Sequence, residues 1–180
     1  MTKYLCVYCG ASERADPMYR QAAIDMGRVI GENKLGLVYG GGRLGLMGLV
    51  ADAVLHHGGR AIGFIPEHLN DREGAHLGLT ELHIVDTMHT RKKNMSEHAD
   101  MFVVLPGGFG TLDEMFEIIT WHQLKLHNKP IVLVNINHYW DPLVQLINTV
   151  VDKKFAHSEH RFIVKVVNNV NDVLTITKDL

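Results

Sequence analysis

The sequence predicts an α/β protein built on an open, doubly wound parallel sheet. Short apolar runs recur along the chain: "YLCVY" (4–8), "LGLVY" (35–39), "AIGFI" (61–65), "ELHIV" (81–85), "MFVVL" (101–105) and "IVLV" (131–134). Several are apolar almost throughout, as parallel strands covered on both faces must be. Segments of helical spacing lie between them, so strand and helix alternate. Right-handed crossovers then place helices on both faces of the sheet.

Each segment has its own justification. After residues 4–8, Tyr19, Ala22, Ala23, Met26, Val29 and Ile30 recur on one helical face, with Arg20, Gln21, Asp25, Arg28 and Glu32 opposite. Asp16-Pro17 opens that helix, because proline fits the first helical position. The glycine-rich turn "YGGGRLGLMG" (39–48) follows the second strand and leads into another helix. Residues 67–80, "EHLNDREGAHLGLT", read as a long polar connection of the kind that forms lids and binding loops. After the fourth strand, Thr87 or Thr90 caps a helix that carries Arg91, Lys92 and Lys93 in its first turns. The fifth strand runs into "LPGGFGTLDEM" (105–115) and a further helix. Asp141-Pro142 starts the helix bearing Leu143, Leu146, Ile147, Val150 and Val151, and a last short helix begins near Asn171. There is no internal repeat or linker. A chain of 180 residues is expected to form one domain over residues 1–180.

Composition narrows the function. A net charge of −2 gives no basic field to recruit nucleic acid or an anionic membrane. No apolar run approaches the roughly 18 residues that a membrane span needs. The opening "MTKYLCVYCG" passes into a strand without the features of a signal peptide, so a cytoplasmic protein is expected. Cys6 and Cys9 sit in or at the end of a strand, which argues against a thioredoxin-type pair, and no second pair exists for zinc. His122 and His127 are five apart and His56 and His57 are adjacent, so neither pair has metal-ligand spacing on a helix. These spacings argue against a metal site.

In doubly wound sheets, ligands collect outside the carboxyl ends of the strands. Two glycine turns, at 39–48 and 105–110, fall there and each precedes a helix, so backbone N–H groups and positive helix ends point into one crevice. Glycines also simply permit tight turns, but two such turns on one sheet edge favour a phosphate. Gly40, Gly42 and Gly45 satisfy G-x-G-x-x-G, yet after the second strand and without a suitably placed acid they argue against a dinucleotide. Thr111 and Glu114 have the spacing of a capping box. Alternatively, a carboxylate near a bound sugar phosphate suits a developing oxocarbenium ion. Arg91 can fork onto a phosphate, hydroxyl or carboxylate, whereas Lys93 is expected in solvent.

These motifs together resemble the cytokinin riboside 5′-monophosphate phosphoribohydrolase (Lonely Guy) family. The signature P-G-G-x-G-T-x-x-E occupies residues 106–114, G-G-x-x-x-G-L-M-G occupies 41–48, and M-H-x-R-K occupies 88–92. "CVYCGAS" (6–12) and "ITWHQLKLHNKPIVLVN" (119–135) extend the likeness over nearly the whole chain. The resemblance implies a Rossmann-like domain that hydrolyses the N-glycosidic bond of a nucleoside 5′-monophosphate, usually an N6-substituted adenine nucleotide, without a cofactor. It implies that Gly107, Gly108, Gly110 and Thr111 cradle the phosphate, with Gly41 and Gly42 beside them. Arg91 and Glu114 match the catalytic pair, and Glu73, Arg91 and Lys92 match nucleotide contacts. It also implies a homodimer with a small-molecule partner and neither nucleic acid nor membrane. The label lysine decarboxylase often attached to such chains finds no dedicated lysine here. A non-catalytic nucleotide carrier or sensor using the same crevice is the competing reading.

Overall fold

The structure, a computed structural model, describes residues 2–178 and 180, with the side chains of residues 71–73 outside the description. Among the described residues, the strands are β1 (Tyr4–Tyr8), β2 (Gly36–Tyr39), β3 (Arg60–Pro66), β4 (Glu81–Val85), β5 (Met101–Val104), β6 (Ile131–Val134) and β7 (Val164–Val167). They form one seven-stranded sheet in the order β4-β3-β2-β1-β5-β6-β7, and every neighbouring pair is parallel. The helices are α1 (Pro17–Glu32), α2 (Gly45–His56), α3 (Glu67–Glu73), α4 (Met88–His98), α5 (Phe109–Gln123), α6 (Asp141–Asp152) and α7 (Val173–Thr177).

Strand alternation sends successive side chains to opposite faces and so divides the core in two. Leu5, Val7, Leu37 and Val103 pack with Ala23, Met26 and Ile30 of α1, Val50 and Val54 of α2, and Val173 of α7. Cys6, Tyr8, Phe102 and Val104 pack on the other face with Met95 of α4, Met115 and Ile118 of α5, and Leu143 of α6. β1, β2, β5 and β6 are buried almost throughout, which is why their sequences read as continuous apolar runs.

The expected sheet class and helix starts are present: Pro17 opens α1, Thr87 caps α4 by accepting from the Thr90 N–H, and α6 begins at Asp141. Three local expectations are corrected. The polar segment 67–80 is not all loop, because its first half forms α3. A seventh strand, β7, lies at the sheet edge, where a four-residue run broken by Lys165 is half-exposed or exposed at every position. The capping box does not form: α5 starts three residues early, with Gly108 rather than Thr111 as its N-cap and no side-chain capping bond. Thr111 is thereby inside the first turn, and its side chain fills the space a Gly107 side chain would take.

Strand order reverses between β1 and β5, since the chain winds outward to β4 and returns beside β1. The carboxyl ends of β1 and β5 therefore flank the topological switch point, where this fold opens a crevice.

Candidate active site

The turns after β1 and β5 are bonded to each other at the switch point. The Gly10 N–H donates to the Pro106 carbonyl at 3.1 Å, and the Leu46 N–H at the start of α2 donates to the Gly10 carbonyl at 2.9 Å. Between them opens a cleft of about 270 Å³ lined by Cys9, Gly10, Ala11, Ser12, Met47, Arg91, Gly108, Gly110, Thr111 and Glu114.

The first turn of α5 forms one wall. The leading N–H groups of a helix have no intrahelical partner, and here no side chain caps them. A β-carbon added at Gly108 or Gly110 would meet nothing within 4 Å. The uncapped peptide amides of this turn thus lie beside the cleft at the positive end of a helix, the arrangement that binds anions.

Arg91 and Glu114 line the same cleft beside that turn, both buried although charged. The Arg91 Nε donates to the Phe64 carbonyl at 3.1 Å and its Nη2 donates to the Gly40 carbonyl at 3.3 Å. Its Nη1 stands 3.6 Å from Glu114 Oε1. Two backbone carbonyls thus fix the guanidinium plane and present the remaining edge to the carboxylate. Charge-assisted bonds of this kind contribute about 1.5–3 kcal/mol each, so the arginine is held before any ligand arrives. Glu114 lies one helical turn beyond Gly110 on α5, which puts the carboxylate beside the anion seat.

Lys92 is placed differently from a nucleotide contact. Its Nζ lies 3.0 Å from Asp113 Oδ2 and 3.2 Å from Glu117 Oε1, and it does not line the cleft. Burial opposes its charge, but the hydrogen bonds it donates to these two carboxylates, with their negative charge, outweigh it and hold the ammonium above its ordinary pKa. Lys92 thereby offsets the Asp113 charge beside the anion seat. A lysine that attacks a carbonyl must first lose its proton, so this one is set against such chemistry. Lys93 is exposed and faces Glu97, as expected.

Gly41 and Gly42 also lie away from the cleft wall. Both are buried, the Gly41 carbonyl accepts from the His76 N–H at 2.9 Å, and Gly42 bridges to Ala75. Their turn seats the segment after α3 rather than presenting amides to the cleft. Glu73 ends α3, and its side chain lies outside the described residues. Cys9 lines the cleft and Cys6 lies in the core. Burial, reinforced by the nearby Glu114 charge, pushes both thiols well above their ordinary range, so neither is a thiolate nucleophile at neutral pH.

The site list read from the sequence lacks Gly10, Ala11, Ser12 and Met47. The small residues after the first strand were the available signal, because strand order makes that turn half of the switch-point crevice.

Fold and crevice define the class: a doubly wound α/β protein with an uncapped helix N-terminus beside a buried arginine–carboxylate pair. Residues 47–177 match the family described as "Possible lysine decarboxylase". The chain is 52% identical over 146 residues to the cytokinin riboside 5′-monophosphate phosphoribohydrolase of Rhodococcoides fascians, covering 81% of this chain and 74% of that one. It is 44% identical over 173 residues to the enzyme LOG7 of that name from Arabidopsis thaliana, covering 96% and 79%. The chain belongs to the cytokinin riboside 5′-monophosphate phosphoribohydrolase family. A molybdenum cofactor binding protein from Rippkaea orientalis shares the fold alone, with a TM-score of 0.77 at 17% identity over 99% of this chain and 97% of that one.

Proposed function

We propose that this chain hydrolyses the N-glycosidic bond of adenosine 5′-monophosphates carrying an N6 substituent, releasing free base and ribose 5-phosphate. The observation that carries the reading is the buried Glu114 carboxylate, one helical turn from the open amides of α5 and 3.6 Å from the guanidinium of Arg91. With the phosphate on the amides around Gly108, Gly110 and Thr111, the ribose lies along α5 towards Glu114. Bond cleavage sends the C1′–N9 electron pair into the base and leaves positive charge on the sugar. Glu114 stabilises that charge and orients the water whose oxygen bonds to C1′; that water gives up one proton and the departing base takes up one, so the products are neutral base and ribose 5-phosphate. Arg91 fixes Glu114, and the phosphate grip aligns the reacting centre.

Lys92 supports this arrangement by holding Asp113 and Glu117. Gly107 closes the loop against Thr111, and Gly41 and Gly42 seat the segment that follows Glu73. That glutamate is a nucleotide contact on the strength of the family resemblance. The same resemblance, with the exposed Phe116, Leu146 and Val150 on α5 and α6, supports a homodimer. Residues 1–180 act as one nucleotide-binding domain in the cytoplasm, without nucleic acid or membrane partners. No helix among the described residues is long and apolar enough to cross a membrane.

The direct test is to incubate the protein with AMP and with N6-isopentenyl AMP and to measure free base. Release of base, greater from the substituted nucleotide, is expected. Glu114→Gln should abolish release while retaining nucleotide affinity. Binding without release by the unaltered protein would instead establish a carrier, which has no need of a carboxylate beside the sugar.

A further inference from the structure

We propose that Tyr139 is a positioning residue that holds the Gly107–Gly108 peptide in the orientation the phosphate requires. The inference rests on the nucleotide reading above and adds to it a residue from a third turn, the one after β6. The Tyr139 hydroxyl donates to the Gly107 carbonyl at 2.7 Å, across 32 positions of sequence.

The turn that delivers Tyr139 is built for the purpose. Asn137 and His138 both adopt left-handed backbone, with φ of 48° and 61°, a conformation that side-chain-bearing residues take at a cost and keep only where their surroundings impose it. The surroundings here are specific. Asn135 is buried, its Oδ1 accepts from the Trp140 N–H at 2.7 Å, and its Nδ2 donates to Asp141 Oδ1 at 2.7 Å. The Tyr139 ring then packs edge-on against Tyr19 and Trp140, with centroids 5.3 and 4.7 Å away. A strained turn, pinned at both ends, aims one hydroxyl at one carbonyl.

That carbonyl matters because of peptide geometry. A trans peptide is planar, so the Gly107 carbonyl and the Gly108 N–H point in opposite directions. Fixing one fixes the other. The loop is already held elsewhere: Thr111 Oγ1 and the Gly10 N–H occupy the space beside Gly107, and Pro106 accepts from Gly10. The two adjacent glycines are the most freely rotating residues of the loop. The tyrosine removes the rotation that these contacts leave, so the amide is already aimed when the phosphate arrives.

Tyr139→Phe keeps the ring and removes the bond. Calorimetry in the inactive Glu114→Gln background should show AMP binding weakened about 2- to 10-fold, the span expected for one hydrogen bond. Adenosine, which lacks the phosphate, should bind with unchanged affinity, and the melting temperature should fall by no more than about 5 °C, the cost of one hydrogen bond. In the active protein, KM should rise with a smaller change in kcat. Unchanged AMP affinity would overturn the proposal. So would equal weakening of AMP and adenosine, since that marks a packing role. Failure of Glu114→Gln to bind AMP at all would remove the nucleotide reading and this inference with it.

Discussion

Gly40→Ala tests the geometry of the site more sharply than any change to a charged residue. A β-carbon at position 40 would lie 1.8 Å from Arg91 Nη2 and 2.9 Å from its Cζ. Non-bonded carbon and nitrogen do not approach so closely, so the guanidinium must retreat by roughly 1 Å or more, a displacement that costs an active site about 100-fold. The retreat breaks the bond to the Gly40 carbonyl and carries Nη1 away from Glu114. It is not a free swing into solvent, because Arg91 is 6% exposed and is bonded to Phe64 as well. A 100-fold fall in kcat corresponds to about 2.7 kcal/mol of lost transition-state stabilisation.

The assay is steady-state release of free base from the nucleotide, measured for Gly40→Ala, Arg91→Ala and the double variant. Arg91→Ala empties the space that the new methyl group would enter. The alanine at 40 should therefore lower kcat in the parent protein and do little more in the Arg91→Ala background. Additive losses would show that Gly40 acts independently of the arginine and would refute the reasoning. An unchanged kcat in the single variant would refute it as directly.

Other outcomes follow from the same contacts. Arg91→Ala should lower turnover by orders of magnitude whereas Lys93→Ala, exposed beside Glu97, should leave it near the parent value; matched kinetics of the two variants check the ranking. Gly108→Ala should fold normally, because its β-carbon meets nothing within 4 Å, yet weaken nucleotide binding by intruding on the crevice. Gly107→Ala should lower the melting temperature, since its β-carbon would lie 2.0 Å from Thr111 Oγ1 and 2.9 Å from the Gly10 nitrogen. Burial raises the folded-state pKa of Cys6 and Cys9, while unfolded thiols ionise near pH ~8.5. Their contribution to stability is therefore intact below that pH and is lost as pH rises, at about 1.4 kcal/mol per pH unit for each thiol. Denaturant titrations across the alkaline range should show the decline, and Cys6→Ala should flatten it.

Much of the fold was legible because the central strands are covered on both faces and so must be apolar at every position. β1, β2, β5 and β6 obey that rule and were read directly. β7 was not, since an edge strand with half-exposed residues, Lys165 among them, has no such constraint. The catalytic pair of the proposed reaction was legible for another reason: Arg91 and Glu114 are charged residues at strand-to-helix turns, and only strand order was needed to bring them together. Lys92 shows where that logic stops. It neighbours Arg91 in sequence, but one helical step turns its side chain to Asp113 and Glu117. Which face of α4 meets the crevice depends on how α4 packs against α5, a tertiary fact absent from local sequence.

The glycines present the same limit in its clearest form. A glycine records that a side chain is missing and says nothing about what occupies its place. At Gly40 the place is taken by the Arg91 guanidinium, and at Gly107 by Thr111 and the Gly10 backbone. At Gly108 and Gly110 it is taken by no protein atom. The first pair fits the wall of the cleft together, and the second pair leaves its peptide amides accessible. In the sequence the four read alike, as members of two glycine turns that favour a phosphate. Only the second pair has the geometry of an anion seat. The first makes that seat productive, by holding the arginine against the carboxylate and the loop against the helix that carries it.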